Sequence, residues 1–329
     1  MSDRVLDLPW LQTYWRLLDA YALAGRVPQA LLIAGHAGIG KMRLARAFAQ
    51  RLLCRRPGDF ACGECVSCQL FEAQTHPDFL AVEPAEPGKT ITVDAIRGLI
   101  GTLSLTPQYR GYRVVILAPA HQMNPAAANS LLKTLEEPDE HTVMLLLTES
   151  PSSLPATVLS RCQRMDIAVP EPRDVIKWLG EQGLAAQAET LLAIAQGAPL
   201  RALILAREGV IERRREFFWA WIDVVRRKRE PVLVAEKWVK FSCETLTDWM
   251  ISWVIDLIRL NSAPSCRRLN NPDFSESLQA TARQLELTGL YRFFDLLNAT
   301  RRRLTGQVNR QLVLEELLIH WSQVVRTVQ

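Results

Sequence analysis

The segment from Gln29 to Leu53 constrains the fold most, because a buried strand, a glycine-rich loop and a helix are indicated in direct succession. An apolar run over 29–34 predicts the strand, and the composition of 41–53 predicts the helix. The loop between them, Gly35-His-Ala-Gly38-Ile-Gly40-Lys41, has the GxxxxGK spacing of a phosphate-binding loop. Its glycines let backbone N–H groups turn toward phosphate, and the following helix N-terminus adds positive potential. The pattern indicates a phosphate-binding type of loop with Gly35, Gly38, Gly40 and Lys41 as its candidate residues, and a relic loop that only packs is the alternative.

Further strand and helix signals alternate through the first half of the chain. The predicted strands are 79–82, 113–118, 143–148 and 166–169. A helix is predicted over 92–103, and another begins at Asn124-Pro125, a favourable N-cap and first-turn pair, and ends at Pro138. Continuous apolar strands alternating with helices are typical of a parallel sheet covered on both faces. The fold class is therefore α/β in this part.

After Pro170-Glu171-Pro172 the pattern becomes helical. The predicted helices are 173–182, 186–196, 199–208, 211–229, 244–261, 275–304 and 308–327. We expect three domains: an α/β domain over 1–169, a small helical domain over 170–210 and a larger all-α domain over 211–329.

Composition excludes several classes of protein. Of 329 residues, 48% are hydrophobic and 22% charged, which is typical of a globular chain and not of a disordered one. No apolar run is long enough for a predicted transmembrane helix, and the acidic start Met1–Asp7 does not resemble a signal peptide. A cytoplasmic protein is expected. The net charge of +4 is too small to indicate extensive nucleic-acid coating.

The residues that would complete an ATPase site are missing. A hydroxyl after the loop lysine normally holds Mg²⁺, but this position is Met42, whose thioether does not suit a hard cation. An acid should also end a neighbouring strand, but 114–117 is followed by Ala118 and Pro119. We predict no ATP hydrolysis and consider ATP binding doubtful. An autonomous ATPase motor remains the alternative, since Gly38, Gly40 and Lys41 favour nucleotide binding.

Four of the seven cysteines, Cys54, Cys62, Cys65 and Cys68, fall within fifteen residues. In a reducing compartment such a cluster favours a metal over disulfides, and four thiolates suit tetrahedral Zn²⁺. We predict a structural zinc site. Spacing alone also permits an iron–sulfur cluster, four unrelated buried cysteines, or a zinc-dependent DNA-binding module that uses the nearby Arg55 and Arg56.

Two further segments carry a resemblance to a known family. Asn129-Ser-Leu-Leu-Lys-Thr-Leu-Glu-Glu-Pro138 and Ser160-Arg161-Cys162 match the "LLKTLEEP" and "SRC" motifs of bacterial clamp-loader subunits. The cysteine cluster stands where these proteins carry a zinc insertion. The chain thus resembles the AAA+ clamp-loader subunits of DNA polymerase III. At Met42, Ala118 and Pro119 the chain departs from the tau/gamma motor subunits of this family, which keep a Ser/Thr and acidic residues there, so it resembles a non-motor member.

The resemblance implies an AAA+ α/β domain, a helical lid and a collar that joins a five-membered ring. Such a ring opens the sliding clamp and loads it onto primed DNA, using ATP bound by the motor subunits. A non-motor member of this family would be a non-catalytic stator that assembles with tau/gamma and delta subunits. It would reach clamp and DNA through the complex, and it would supply Arg161 as an arginine finger to a neighbour's ATP. The sequence marks no membrane partner.

The resemblance also suggests roles for two other arginines. Arg97 lies near the start of the 92–103 helix, where ring-lining helices of the family follow DNA phosphates. The lid arginine that senses ATP should lie near 197–201, and Arg201 falls one residue later than the motor pattern. Basic runs at 213–215, 226–229, 267–268 and 301–303 lack aromatic residues in register, so we interpret them as solvated helix faces paired with nearby acids. Contact with DNA or docking of another subunit is the alternative.

Overall fold

The computed structural model describes residues 7–86, 88–109, 111–139, 141–266, 269–304 and 308–324. The chain divides into two compact units. The first extends to Gln182 and includes Gly197–Arg201, and the second contains Gly183–Gln196 and the chain from Ala202 onward. The three domains expected from the sequence stay a prediction.

The first unit is built on a five-stranded, entirely parallel sheet with the order β2-β3-β4-β1-β5. Its strands are β1 (Ala30–Gly35), β2 (Phe79–Val82), β3 (Arg113–Leu117), β4 (Thr142–Thr148) and β5 (Gln163–Ile167). The two strands β3 and β4 are buried along their whole length, which explains their continuous apolar sequences. The predicted α/β class with a parallel sheet is confirmed.

The prediction for the last strand, 166–169, was wrong in position, since β5 begins at Gln163. This strand lies at the sheet edge, and only Met165 and Ile167 are buried. Polar residues therefore occupy its exposed positions, and the apolar run that identified the central strands is absent.

Seven helices accompany the sheet in the described part of the first unit. They are α1 (Gln12–Leu23), α2 (Lys41–Leu53), α3 (Val66–Glu72), α4 (Val93–Leu103), α5 (Pro125–Glu136), α6 (Ala156–Leu159) and α7 (Pro172–Leu179). The predicted start of α5 is confirmed: Asn124 accepts a hydrogen bond from the Ala127 N–H at 2.8 Å, and Pro125 is the first helical residue. The predictions of α2 and α4 are also confirmed. The helix α1 was not predicted.

The described residues of the second unit form helices and their connecting turns, and no strand lies among them. Its helices are α8 (Ala188–Ile194), α10 (Val210–Val225), α11 (Pro231–Trp238), α12 (Cys243–Ser262), α13 (Ser275–Ala282), α14 (Leu287–Arg303) and α15 (Arg310–Ser322), and α9 (Pro199–Arg207) runs from the first unit into it. The single helix predicted over 275–304 is in fact two, α13 and α14. Leu285 in the break is 1% exposed, and the Glu286 N–H bonds to Val324 O at 3.3 Å. A tertiary contact thus replaces the continuing helix.

Tryptophan side chains form the centre of the second unit. Trp221, Trp253 and Trp321 are fully buried, and the rings of Trp221 and Trp321 are stacked with centroids 3.9 Å apart. The indole N–H of Trp321 donates to the Trp221 carbonyl at 2.9 Å, which satisfies its polar atom inside the core. Trp219, in contrast, remains 43% exposed.

No single helix among the described residues is long and apolar enough to cross a membrane. The bent pair Pro172–Ile194 and Pro199–Arg207 meets the criteria of length and composition when the two segments are counted together.

Candidate functional sites

The glycine-rich loop connects β1 to α2, and side chains from other segments of the first unit pack closely against it. Gly38 and Gly40 have φ angles of +70° and +104°, which side-chain-bearing residues rarely adopt. A Cβ on Gly40 would lie 2.9 Å from a methyl carbon of Leu11, and one on Gly38 would lie 3.2 Å from the Cβ atoms of Ala198 and Arg201. These two positions therefore need glycine both for the turn and for the close approach of the covering segments.

The loop lysine is buried and satisfied by the loop itself. Lys41 is 8% exposed, and its Nζ donates to the carbonyls of Gly35 at 2.8 Å and His36 at 2.7 Å. The carboxylate of Glu149 lies 3.7 Å from the same Nζ. Burial lowers the pKa of Lys41, and the negative charge of Glu149 acts in the opposite direction. The lysine charge is thus already compensated within the chain.

A cavity of about 580 Å³ opens beside the loop. Met42, Ala118 and Pro119 line it, so the three residues that depart from an ATPase pattern lie together next to Lys41. None of their side chains offers an oxygen ligand for Mg²⁺. The sequence analysis missed two acids of this cavity, Glu83 and Glu149. Each directly follows a strand, β2 or β4, and the carboxyl ends of parallel strands share one edge of the sheet, a signal that could have indicated both.

Backbone carbonyls of the loop also have fixed partners. The Leu200 N–H donates to Gly38 O at 3.0 Å, and the Trp10 indole N–H donates to Ile39 O at 2.8 Å. The residue after Leu200, Arg201, lies against Gly38 through its Cβ. The region expected to carry a lid arginine therefore does border the loop, and the sensing role of Arg201 stays a prediction.

The four clustered cysteines converge, with all their sulfur atoms within 4.8 Å of one another. Backbone N–H groups point at the sulfurs: Cys62 N–H lies 3.3 Å from Cys54 Sγ, and Cys65 N–H lies 3.4 Å from Cys62 Sγ. The four residues form no disulfides. This arrangement is one that can hold a metal ion.

Local hydrogen bonds prepare part of the cluster for the thiolate form. Burial raises the pKa of Cys65, but backbone N–H groups of Arg55 and Cys68 more than offset it and bring this pKa to about 6. Burial raises the pKa of Cys68, which is fully buried. A cation would be needed to hold all four sulfurs as thiolates at neutral pH.

The cysteine loop is anchored to the sheet domain by buried polar contacts. Ser67, between two of the cysteines, donates to Leu53 O at 2.6 Å and lies 2.9 Å from His76 Nε2. The other nitrogen of His76 accepts from the Asp78 N–H at 3.1 Å, so Nε2 is the protonated one and donates to Ser67. Arg55, considered above as a DNA contact, lies over the Tyr109 ring at 4.6 Å. These contacts favour a structural module.

Arg161 lies on the surface between α6 and β5. Its Nε donates to Glu136 Oε1 at 2.7 Å, its Nη2 contacts the same oxygen, and its Nη1 donates to Thr157 O at 2.8 Å. The side chain is 31% exposed, so the guanidinium is oriented yet accessible. Burial raises the pKa of the next residue, Cys162, to about 11, which is consistent with a packed, unreactive thiol.

The remaining predicted basic residues are mostly paired. Arg97 is exposed on α4 and lies 3.6 Å from Asp94. In the predicted basic runs, Arg229 pairs with Asp223 at 3.1 Å and Arg301 with Asp248 at 3.2 Å. Arg267 and Arg268 lie outside the described residues. The run 213–215 is not one solvated face, contrary to the interpretation above, because its middle residue is buried.

That buried residue, Arg214, is 1% exposed and joins a polar network in the second unit. Its Nη1 donates to Asp273 at 2.6 Å, and its Nη2 contacts Asn271. Asn271 in turn donates through its backbone N–H to Asp256, which is fully buried, at 2.8 Å. Arg214 therefore has a folding role rather than a binding one.

Comparison with known proteins extends over nearly the whole chain. The profile described as "DNA polymerase III, delta subunit" matches residues 10–171, and that of its C-terminal region matches 208–323. The delta' subunit of DNA polymerase III from Pseudomonas aeruginosa is 36% identical over 96% of this chain and 97% of its own length. The tau subunit from Bacillus subtilis is 35% identical over 50% of this chain and 29% of its own. A gamma subunit-related protein from Thermotoga maritima superposes with a TM-score of 0.46 at 18% identity, over 96% and 99% of the two chains.

The matched profiles define this chain as a protein of the DNA polymerase III subunit class, with a parallel sheet and a glycine-rich loop in its first unit and helices in its second. Within that class, the chain belongs to the family of DNA polymerase III delta' subunits, because a delta' subunit with 36% identity matches 96% of this chain and 97% of its own length. A member of this family is an accessory subunit of the polymerase holoenzyme.

Proposed function

We propose that this chain is the non-catalytic stator of a clamp-loader ring and that it supplies Arg161 to the ATP site of an adjacent motor subunit. The partners would be the tau/gamma motor subunits and a delta subunit, with the sliding clamp and primed DNA reached through the complex. The observation that carries the proposal is a contrast between two sites. An oriented, accessible Arg161 stands on the surface, while the cavity beside the chain's own loop is lined by Met42, Ala118 and Pro119.

The argument against hydrolysis in this chain is chemical. Phosphoryl transfer needs a metal ion between the phosphates and a group that orients the attacking water. The thioether of Met42 is a poor ligand for Mg²⁺, and Ala118 and Pro119 have no side-chain oxygen. Lys41 is in addition engaged with two loop carbonyls and with Glu149. We therefore expect no turnover from the isolated chain.

The argument for a role in a neighbour's site is electrostatic. A guanidinium placed beside a γ-phosphate stabilises the negative charge that spreads over its oxygens in the transition state. Such arginine fingers are worth on the order of 10³–10⁵ in rate in other phosphoryl-transfer systems. Glu136 and Thr157 engage part of the guanidinium and fix its direction, and the remaining exposed edge can reach a partner's ligand.

We further propose that Cys54, Cys62, Cys65 and Cys68 hold a structural zinc ion. Four sulfurs bound at about 2.3 Å around one tetrahedral ion lie roughly 3.8 Å apart, which fits sulfur atoms all within 4.8 Å. An iron–sulfur cluster places several irons between the cysteines and holds their sulfurs further apart. With four protein ligands, such a zinc ion keeps no open position for substrate, so its contribution is to the fold.

A direct test of the non-catalytic role compares two lysines at equivalent loops. A clamp loader is reconstituted with this chain carrying Lys41→Ala, and, separately, with the loop lysine of the motor subunit changed to Ala. We expect clamp- and DNA-stimulated ATP hydrolysis to survive the first change and to be lost with the second. Loss of hydrolysis with Lys41→Ala in a fully assembled complex would contradict the proposal.

ATP hydrolysis by the isolated chain provides a second test of the non-catalytic role. Wild-type chain should give no Mg²⁺-dependent phosphate release above a buffer control. Steady turnover that Lys41→Ala abolishes would instead establish an autonomous motor.

A further inference from the structure

The lysine of the phosphate loop already faces an anionic side chain, which belongs to the same chain. Glu149 directly follows β4, and its carboxylate lies 3.7 Å from Lys41 Nζ at the wall of the 580 Å³ cavity. The lysine is buried, whereas the Glu149 side chain is 45% exposed, and both line the same cavity. A phosphate bound in this cavity beside Lys41 would compete with the Glu149 carboxylate for the lysine charge.

The backbone that carries Glu149 is fixed, so this approach is built into the fold. Thr148, the last residue of β4, is fully buried, and its hydroxyl accepts from the Ser150 N–H at 3.2 Å. His121 lies 3.2 Å from the same hydroxyl and accepts from the Glu149 N–H at 3.4 Å. These contacts set the turn after β4 and place the start of the Glu149 side chain over the loop.

The charge balance of the cavity follows from this placement. Backbone N–H groups, the N-terminus of α2 and the lysine would all favour a polyphosphate. The Glu149 carboxylate neutralises the lysine and repels an incoming anion, and Glu83 and Glu86 add negative charge to the same cavity. Glu86 differs from Glu149 in one respect, since its carboxylate is 2.8 Å from Lys89 and not beside the loop lysine.

We infer that Glu149 is an internal competitor for the phosphate loop, and that neutralising it uncovers a metal-independent binding site for polyphosphate anions. The cavity volume lies within the range of roughly 300–1,000 Å³ that is typical of small-molecule pockets, so space does not forbid such a ligand. In this view Glu149 sets the affinity of the loop for anions. The effect is independent of the proposed role of Arg161.

The test uses the full-length chain and inorganic tripolyphosphate in the presence of EDTA, with binding followed by calorimetry and by the shift in melting temperature. EDTA removes the metal that could otherwise bridge ligand and acids; because it also competes for zinc, zinc content is measured in every sample. Glu149→Gln should bind tripolyphosphate more tightly than wild type by a factor on the order of ten. Glu86→Gln, which removes one charge from the same cavity but not from Lys41, should change the affinity much less.

A double variant tests whether Lys41 is the group that binds the added anion. Lys41→Met combined with Glu149→Gln should lose the gained affinity if the lysine is the group released. Equal affinity of wild type and the correctly folded Glu149→Gln chain would overturn the inference, as would an equal gain with Glu86→Gln. Mg²⁺-dependent ATP hydrolysis by Glu149→Gln would contradict the proposed function and leave this inference standing, so the two failures are distinguishable.

Discussion

Arg161 and Glu136, which lie 25 positions apart in the sequence, are joined by a hydrogen bond of 2.7 Å from Nε to Oε1. Glu136 is the last residue of α5, and Arg161 follows α6. Each belongs to one of the two segments, 129–138 and 160–162, that resemble clamp-loader motifs. The two motifs therefore meet in the folded protein, and one supplies the acid that orients the arginine of the other.

The first prediction concerns the stability of this pair. Because both side chains are partly exposed, solvent screens the ion pair, and such surface pairs contribute on the order of 0–1 kcal/mol. Arg161→Ala should therefore lower the free energy of unfolding by less than about 1 kcal/mol, as measured by urea denaturation. A much larger loss would mean that the arginine serves the fold, and its effect on ATP hydrolysis would then need another explanation.

The second prediction concerns the cysteine cluster. Cys65→Ser removes one of four convergent sulfurs, so the purified chain should lose zinc and the first unit should melt at a lower temperature. Zinc content is measured by mass spectrometry and melting by calorimetry. Cys162→Ser, which changes a cysteine outside the cluster, should keep one zinc per chain. A Cys65→Ser chain that binds no zinc but melts like wild type would contradict a structural role.

The third prediction concerns the polar network of the second unit. Arg214→Ala would leave Asn271 and Asp273 without their buried cationic partner. Asp273 is partly solvated, but Arg214 and Asn271 are buried, and leaving a buried polar group without its partner typically costs about 1–3 kcal/mol, so we expect a loss of this size in chemical denaturation. Arg215→Ala changes the exposed neighbour and should stay within about 0.5 kcal/mol of wild type. Similar effects of the two substitutions would show that the network does not stabilise the unit.

The sequence predicted most reliably the elements whose burial is uniform. The run 143–148 is apolar because β4 is buried along its whole length, and Asn124-Pro125 marks a helix start by local chemistry alone. At the sheet edge, three of the five residues of β5 are exposed, so the apolar signal began three residues late. The break between α13 and α14 depends on the tertiary position of Leu285, which no local pattern reports.

In the candidate sites, the local motifs were predicted from the sequence, whereas contacts between distant residues were not. The glycine-rich loop and the cysteine cluster are local in sequence, and their spacing was enough to predict them. Glu149 was missed because its relation to Lys41 exists only once β1 and β4 are paired in the sheet. The run of three arginines likewise gave no indication that Arg214 is buried, because its partners Asp273 and Asn271 lie more than fifty positions away in the sequence.

The proposed action of Arg161 on a neighbour's ATP can be measured in the assembled complex. A clamp loader reconstituted with Arg161→Ala is compared with wild type for ATP hydrolysis stimulated by clamp and primed DNA, after equal assembly has been verified. The matched control is Arg164→Ala, which removes an exposed arginine that lies three residues after Arg161 and pairs with Asp166. The account predicts a loss of at least about tenfold in the rate of the affected site with Arg161→Ala, and no loss with Arg164→Ala. Unchanged hydrolysis with Arg161→Ala in a fully assembled complex would contradict it.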